Sequence, residues 1–223
     1  MQYEGMVLVD KPAGITSHDA VDFIRKKFKI KKVGHAGTLD PMATGLLVIL
    51  LGRFTKRSAE FSGYDKEYEA RLCLGSVTDT LDKEGTLTEE KDLSLYKQEI
   101  ENMGKIFESF TGEIEQLPPM FSAKKIGGKK LYEFARKGIV LERKPKKVLI
   151  KNLEILNIDL PYVTFRLRCS KGTYVRQLAH DIGEKIGCGA HLDRLRRTKI
   201  GPFSIQYALT LDRLEHENIL QPS

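Results

Sequence analysis

The sequence predicts an α+β fold, a mixed and largely antiparallel sheet flanked by helices, on three observations. Val148 to Ile158 and Val163 to Cys169 alternate apolar and polar side chains, the two-residue period of half-buried strands, and the second sends Val163, Phe165, Leu167 and Cys169 to one face. Val21, Ile24 and Phe28, and again Val175, Leu178, Ala179, Ile182 and Ile186, recur at helical spacing. Between them lies Leu46 to Leu51 (LLVILL), too apolar for anything but a buried strand or helix segment.

Taken in order, Met6 to Asp10 reads as a strand and Pro12-Ala13-Gly14 as a turn. Thr16 is a candidate N-cap with Asp19 at the capping-box position, and the basic end of the helix that follows suits its dipole. Tyr68, Ala70, Leu72 and Leu74 alternate as a strand, and Ser76 to Glu90 is a loop or a frayed hairpin. Ile100, Met103, Ile106, Phe107 and Phe110 predict a helix over Leu95 to Phe110. Pro118-Pro119 breaks the chain before a small helix at Leu131 to Lys137, ended by Gly138. The strand pair at Val148 to Cys169 turns near Pro161, the helix from Thr173 closes at Gly187, His191 to Lys199 is a further strand, and Thr210 caps a final helix. No linker divides the chain, which reads as one domain over residues 1–223 with a basic excursion from about Lys124 to Lys147 and a short helix and tail over 210–223.

The chain has 37 lysines and arginines against 30 acidic residues, a formal charge of +7, concentrated at Arg25 to Lys32, Lys124 to Lys130, Arg143 to Lys147 and Arg194 to Lys199. That distribution favours nucleic acid as partner over a membrane. Three scattered cysteines argue against a disulfide framework or zinc ribbon, and the N-terminus shows no secretory pattern, so the cytoplasm is the expected compartment. Five histidines without i, i+4 pairing suggest no metal, and there is no phosphate-binding Gly-Lys-Ser/Thr loop and no nucleophile elbow.

What remains is Gly34-His35-Ala36-Gly37-Thr38-Leu39-Asp40-Pro41-Met42-Ala43-Thr44-Gly45, a glycine-punctuated loop holding one carboxylate between a basic segment and the apolar run. Locally, Asp-Pro is a turn dipeptide whose carboxylate bonds nearby N–H groups. Its company points further: His35, Tyr68 and Arg176 add a stackable ring and a fixed cation, the parts needed for covalent chemistry on an extruded base. Gly34-His35-Ala36-Gly37 also matches the GXXG of a KH-type RNA clamp, which would leave most of the chain unexplained.

Six ordered motifs then resemble the tRNA pseudouridine synthase B family over almost the whole chain. They are Lys11-Pro12-Ala13-Gly14-Ile15-Thr16-Ser17, the GHAGTLDPMATGLL segment, Asp65-Lys66-Glu67-Tyr68, Pro118 to Lys124, Ser170 to Arg176, and Gly187 to His191 running on to Leu195-Arg196-Arg197. The resemblance implies isomerisation of uridine 55 in the tRNA T loop to pseudouridine, without a cofactor or metal, by a monomer needing no protein partner. It makes Asp40 the essential carboxylate, attacking the sugar or the base or abstracting a sugar proton. Arg176 would pair with Asp40 and keep it ionised. Tyr68 would stack on the flipped uracil, with a role in removing the C5 proton open. Tyr174 and Leu195 would line the pocket, His35 would fill the gap left by the base, and Lys11 and Lys124 would bind substrate. The segment 124–147 looks like the family's RNA-gripping insertion, and its phosphate contacts would weaken with salt. Many members carry a further C-terminal domain of the PUA type, for which few residues follow Lys199, so the chain reads as either a naturally short member or a truncated one. A noncatalytic tRNA-binding or tRNA-folding module is the competing expectation.

Overall fold

A computed structural model describes residues 4–122, 125–126, 128–135, 138–139 and 141–221. The chain forms two compact units, the first from residues 1–69 and 195–223, the second from 70–194.

The first unit opens with β1 (Gly5–Lys11), α1 (Ser17–Phe28), β2 (Val33–His35), β3 (Thr44–Leu51) and α2 (Ser58–Gly63). LLVILL proves to be strand: all of Leu46 to Leu51 are fully buried in β3, antiparallel to both β1 and β2. Each such side chain contributes about 1.5–3 kcal/mol of transfer free energy, so β3 is the rigid member against which loops can be fixed. Leu46, Val48 and Leu50 share one core with Met6, Leu8 and Phe61. Helix α1 starts at the predicted cap. Thr16 Oγ1 accepts from the Asp19 N–H at 3.0 Å while the Asp19 carboxylate accepts from the Thr16 N–H at 2.8 Å. Its buried residues include the predicted Val21, Ile24 and Phe28.

Strand β4 (Lys66–Leu74) follows, with the alternation expected from Tyr68 onward. The second unit continues with β5 (Ser76–Thr78) and β6 (Leu87–Glu90), so that Ser76 to Glu90 is a hairpin. The single helix expected over Leu95 to Phe110 is instead broken into α3 (Lys97–Glu101) and α4 (Met103–Glu108). The break falls at Asn102, whose backbone at φ −89° and ψ 10° leaves the helical region, with its N–H and its side-chain amide both donating to the Gln98 carbonyl at 3.1 and 2.8 Å. Then come β7 (Gly112–Gln116), the short β8 (Lys125–Ile126) and β9 (Lys129–Lys130), and α5 (Leu131–Ala135). The predicted hairpin appears as β10 (Lys146–Asp159) and β11 (Tyr162–Cys169), antiparallel, with β7 on the other side of β10. The four expected inward residues of β11 are all buried. Helix α6 (Val175–Ile186) buries the predicted face and ends at Gly187, whose left-handed φ of 99° lets its N–H reach the Gly183 carbonyl.

Strand β12 (Ala190–Ile200) carries the chain back to the first unit, where it pairs parallel with β3 and antiparallel with β13 (Phe203–Ser204). The final helix expected after Thr210 is replaced by two 3₁₀ turns, Leu211–Arg213 and His216–Asn218. The backbone on either side is committed to β1: the Leu220 N–H and C=O both bond Met6, and Leu209 bridges Val9. A helix would have to withdraw those groups.

Candidate active site

Asp40 stands in the loop between β2 and β3, half-exposed, and everything around it is pinned. The Ala43 N–H donates to the Asp40 carbonyl at 3.0 Å, closing the turn that Asp40-Pro41 predicts. Buried Ser17, at the start of α1, accepts from the Leu39 N–H at 2.8 Å and donates to the Leu39 carbonyl at 3.0 Å. On the following side the Gly14 N–H donates to the Pro41 carbonyl at 2.9 Å.

Lys11 is fully buried, and its ammonium donates to the carbonyls of Pro12 at 2.7 Å, Ile15 at 2.8 Å and Pro41 at 3.4 Å. A desolvated ammonium has to be satisfied in this way, and here that requirement ties the end of β1 to the residue after Asp40. Tyr68, 8% exposed, and Leu195, equally buried, belong to the same unit, with the Leu195 carbonyl accepting from Thr44 Oγ1 at 3.5 Å. His35 lies in β2 opposite Ile49. Its Nδ1 is buried without a hydrogen-bond partner among the described residues, and burial first, then the charges of Arg197 and His18, push its pKa below the usual histidine value.

The residue that sequence reasoning missed here is Arg197. It was counted in a basic surface patch, yet it is only 1% exposed. Its Nε donates to the Leu46 carbonyl at 2.7 Å, Nη2 to Gly37 at 3.1 Å and Nη1 to Thr38 at 3.4 Å. Burial lowers its pKa, against the opposing pull of the Tyr68 side chain, to which it is hydrogen-bonded, and of Asp40. A sequence signal existed: Arg197 lies two residues beyond Leu195 in a strand, and so on the same face. Two more members of that patch are paired within the unit, while Arg194, in the second unit, has a side chain 70% exposed and lies 3.6 Å from Asp193. Arg196 makes a two-pronged pair with Asp10 at 2.7 and 3.1 Å, and Lys199 pairs with Glu67 at 3.2 Å.

The segment Arg25 to Lys32 does face solvent. An open groove of about 970 Å³ is lined by Lys27, Lys29, Lys31, Lys32, Arg53 and Lys56, of which Lys27 pairs with Glu215 and Arg53 with Glu4.

Arg176 and Tyr174 belong to the second unit. Arg176, 6% exposed, donates from Nη1 to the Thr80 carbonyl at 2.9 Å and from Nη2 to the Phe121 carbonyl at 2.7 Å. It also forms an ion pair at 3.4 Å with Asp82, a second residue the sequence did not single out. Asp82 is steadied in turn by Thr80 Oγ1 at 2.7 Å and the Glu84 N–H at 3.1 Å. Tyr174 is half-buried at the start of α6 and exchanges backbone hydrogen bonds with the Gln116 side chain. Lys124 lies outside the described residues. Among the described residues no group of three or more His, Cys, Asp or Glu side chains is placed to hold a metal, and no helix is long and apolar enough to cross a membrane.

Comparison with known proteins gives the family. The model of the TruB family pseudouridylate synthase N-terminal domain matches residues 25–175, and that of the tRNA pseudouridylate synthase B C-terminal domain matches residues 176–221. The chain is 51% identical to tRNA pseudouridine synthase B of Clostridium tetani over 216 residues, 96% of this chain and 74% of the relative. It is 50% identical to the protein of the same name from Protochlamydia amoebophila, over 92% of this chain and 78% of that one. Among solved structures it is similar to a chain of a Cbf5-Nop10-Gar1 complex, with a TM-score of 0.72 and 32% identity over 94% of this chain and 53% of the other. A chain of an H/ACA RNP bound to a substrate RNA containing 2'-deoxyuridine gives a TM-score of 0.70 at 28% identity, over 98% of this chain and 59% of that one. The chain thus spans little more than half the length of those solved chains. With the two family models together matching residues 25–221 and half of the aligned residues shared with curated relatives, the chain belongs to the TruB family of pseudouridylate synthases.

Proposed function

We propose that this protein converts uridine 55 in the T loop of tRNA to pseudouridine with Asp40 as the essential carboxylate. That it is a tRNA pseudouridine synthase follows from its family. The position and the residue roles are the inference. The reaction breaks the N1–C1' bond, turns the uracil and joins C5 to C1'; the C5 proton is released and N1 takes one up, so no electrons are exchanged and no cofactor is called for.

One observation carries the assignment of Asp40: its loop is bound by Ser17, Lys11 and Arg197 through the backbone on both sides, while the carboxylate residue itself stays half-exposed. Structure is spent on positioning this residue rather than on burying it, which suits a group whose reach to a reacting atom has to be accurate. Tyr68 supplies the ring on which an extruded uracil stacks, and Leu195 an apolar wall. His35, held neutral by burial, is suited to replace the stacking lost in the T loop, an extrusion that costs a few kcal/mol. Arg176, steadied by Asp82, serves as a fixed cation in the reaction. Lys11 acts by holding the Asp40 loop, its ammonium donating to the carbonyls of Pro12, Ile15 and Pro41. The lysine-lined groove supplies phosphate contacts, and the protein works in the cytoplasm as a monomer on the T arm.

Tritium release from tRNA labelled at uridine C5, with wild type and Asp40→Asn at matched concentration, is the test. Release by the wild type alone is expected. Equal release by both, or none by either with tRNA binding retained, would leave a binding or folding module and overturn the assignment.

A further inference from the structure

We propose that Arg197 is a positioning residue for the isomerisation, its buried guanidinium clamping both ends of the loop that carries Asp40 while holding the side chain of Tyr68. The inference rests on the isomerase reading above.

A guanidinium offers five N–H donors in a rigid plane, and burying one is tolerated only where carbonyls or anions meet it. Here the acceptors are distributed in a telling way. Nη1 and Nη2 bond Thr38 and Gly37, which precede Asp40, and Nε bonds Leu46, which follows it at the start of the rigid part of β3. The clamp therefore ties the part of the loop before Asp40 to a strand with no exposed side chain from Leu46 to Leu51. The backbone of Arg197 fits the same role. It pairs with Gly45, where φ is +101° and where an added Cβ would lie 2.4 Å from the Arg197 carbonyl oxygen, so this register admits only glycine. Tyr68, in β4, is hydrogen-bonded to the same side chain. One cation thus fixes the carboxylate loop and the aromatic ring together, whereas Arg196 next to it is spent on Asp10. The ionisable groups facing the guanidinium are Asp40, Tyr68, His35 and, across Gly37, Lys66.

The experiment compares single-turnover tritium release and tRNA affinity for wild type, Arg197→Met and Arg197→Lys. Methionine keeps the stem and removes every donor, and the expected result is a fall in single-turnover rate of about 100-fold with Kd changed by less than about threefold. Lysine retains a cation able to reach some of the same carbonyls and should recover at least about tenfold of that loss. A methionine variant within about threefold of wild-type rate, or losses in rate and Kd that run in parallel with no gain from lysine, would overturn the proposal. Should the methionine variant not fold, wild-type protein still decides. The Arg197 Nε–H, assigned by NMR through its own backbone connectivity, should exchange slowly with solvent, and exchange at the rate of an exposed arginine would refute the clamp. If the wild type releases no tritium, the isomerase reading fails while the exchange measurement still reports on the clamp.

Discussion

Ser17→Ala removes one oxygen, and its consequences can be worked from the structure. The hydroxyl is buried, 2% exposed for the residue, and it serves both backbone groups of Leu39, itself 3% exposed. Without it, a buried N–H and a buried C=O lose their partner together. Each unsatisfied group costs about 1–3 kcal/mol, offset in part because the desolvated hydroxyl has also gone, so a loss of about 2–4 kcal/mol is expected. For a chain of this size each kcal/mol lowers Tm by about 2–4 °C, giving a fall of roughly 4–16 °C. The catalytic effect should exceed what instability explains, because Leu39 adjoins Asp40: a displacement near 1 Å at a reacting group costs about 100-fold, so a 10–100-fold drop in single-turnover rate is expected well below Tm. Urea unfolding gives the first quantity and tritium release the second. A variant whose unfolding free energy lies within about 0.5 kcal/mol of wild type and whose rate is unchanged would refute the reasoning that these hydrogen bonds hold the loop.

Asp82→Ala strips the carboxylate from an ion pair in which both side chains are more than nine-tenths buried, and should cost about 3 kcal/mol, together with a large loss of tritium release, because Arg176 loses its fixed anion. A Tm within about 2 °C of wild type would show that the other contacts of Arg176 suffice. His35 gives a pH dependence. Its folded pKa lies below the unfolded value of about 6.5, so the unfolded chain binds more protons between the two, and stability contributed by neutral His35 is intact above about 6.5 and declines as pH falls through that window. Urea midpoints of wild type should therefore drop between about pH 7.5 and pH 5.5 by more than those of His35→Gln; equal drops would place the titration elsewhere.

Much of this protein was determined by the sequence read alone, wherever a physical signal is local. The capping box at Thr16 and Asp19, the two apolar helix faces, the alternation from Val163 to Cys169 and the turn at Asp40-Pro41 each depend on neighbours a few residues apart, and each appears in the structure as expected. The six motifs carried the family for the same reason, being short and ordered.

What the sequence could not decide is where the satisfying groups come from. Asn102 splits a helix that periodicity would continue, because an apolar stripe says nothing about a residue whose backbone leaves the helical region. The end of the chain takes 3₁₀ turns because β1, some two hundred residues earlier, claims its backbone. Arg197 is the sharpest case. In sequence it is one cation among four in six residues, and its place two residues beyond Leu195 says which face it shares but not what surrounds it. Only the parallel pairing of β12 with β3 brings the carbonyls of Gly37, Thr38 and Leu46 around it. Burial of a charge is a property of what surrounds it, and those surroundings lie about 150 residues away along the chain. Tertiary structure alone turned that arginine from one of a basic cluster into the buried partner of the backbone on both sides of Asp40.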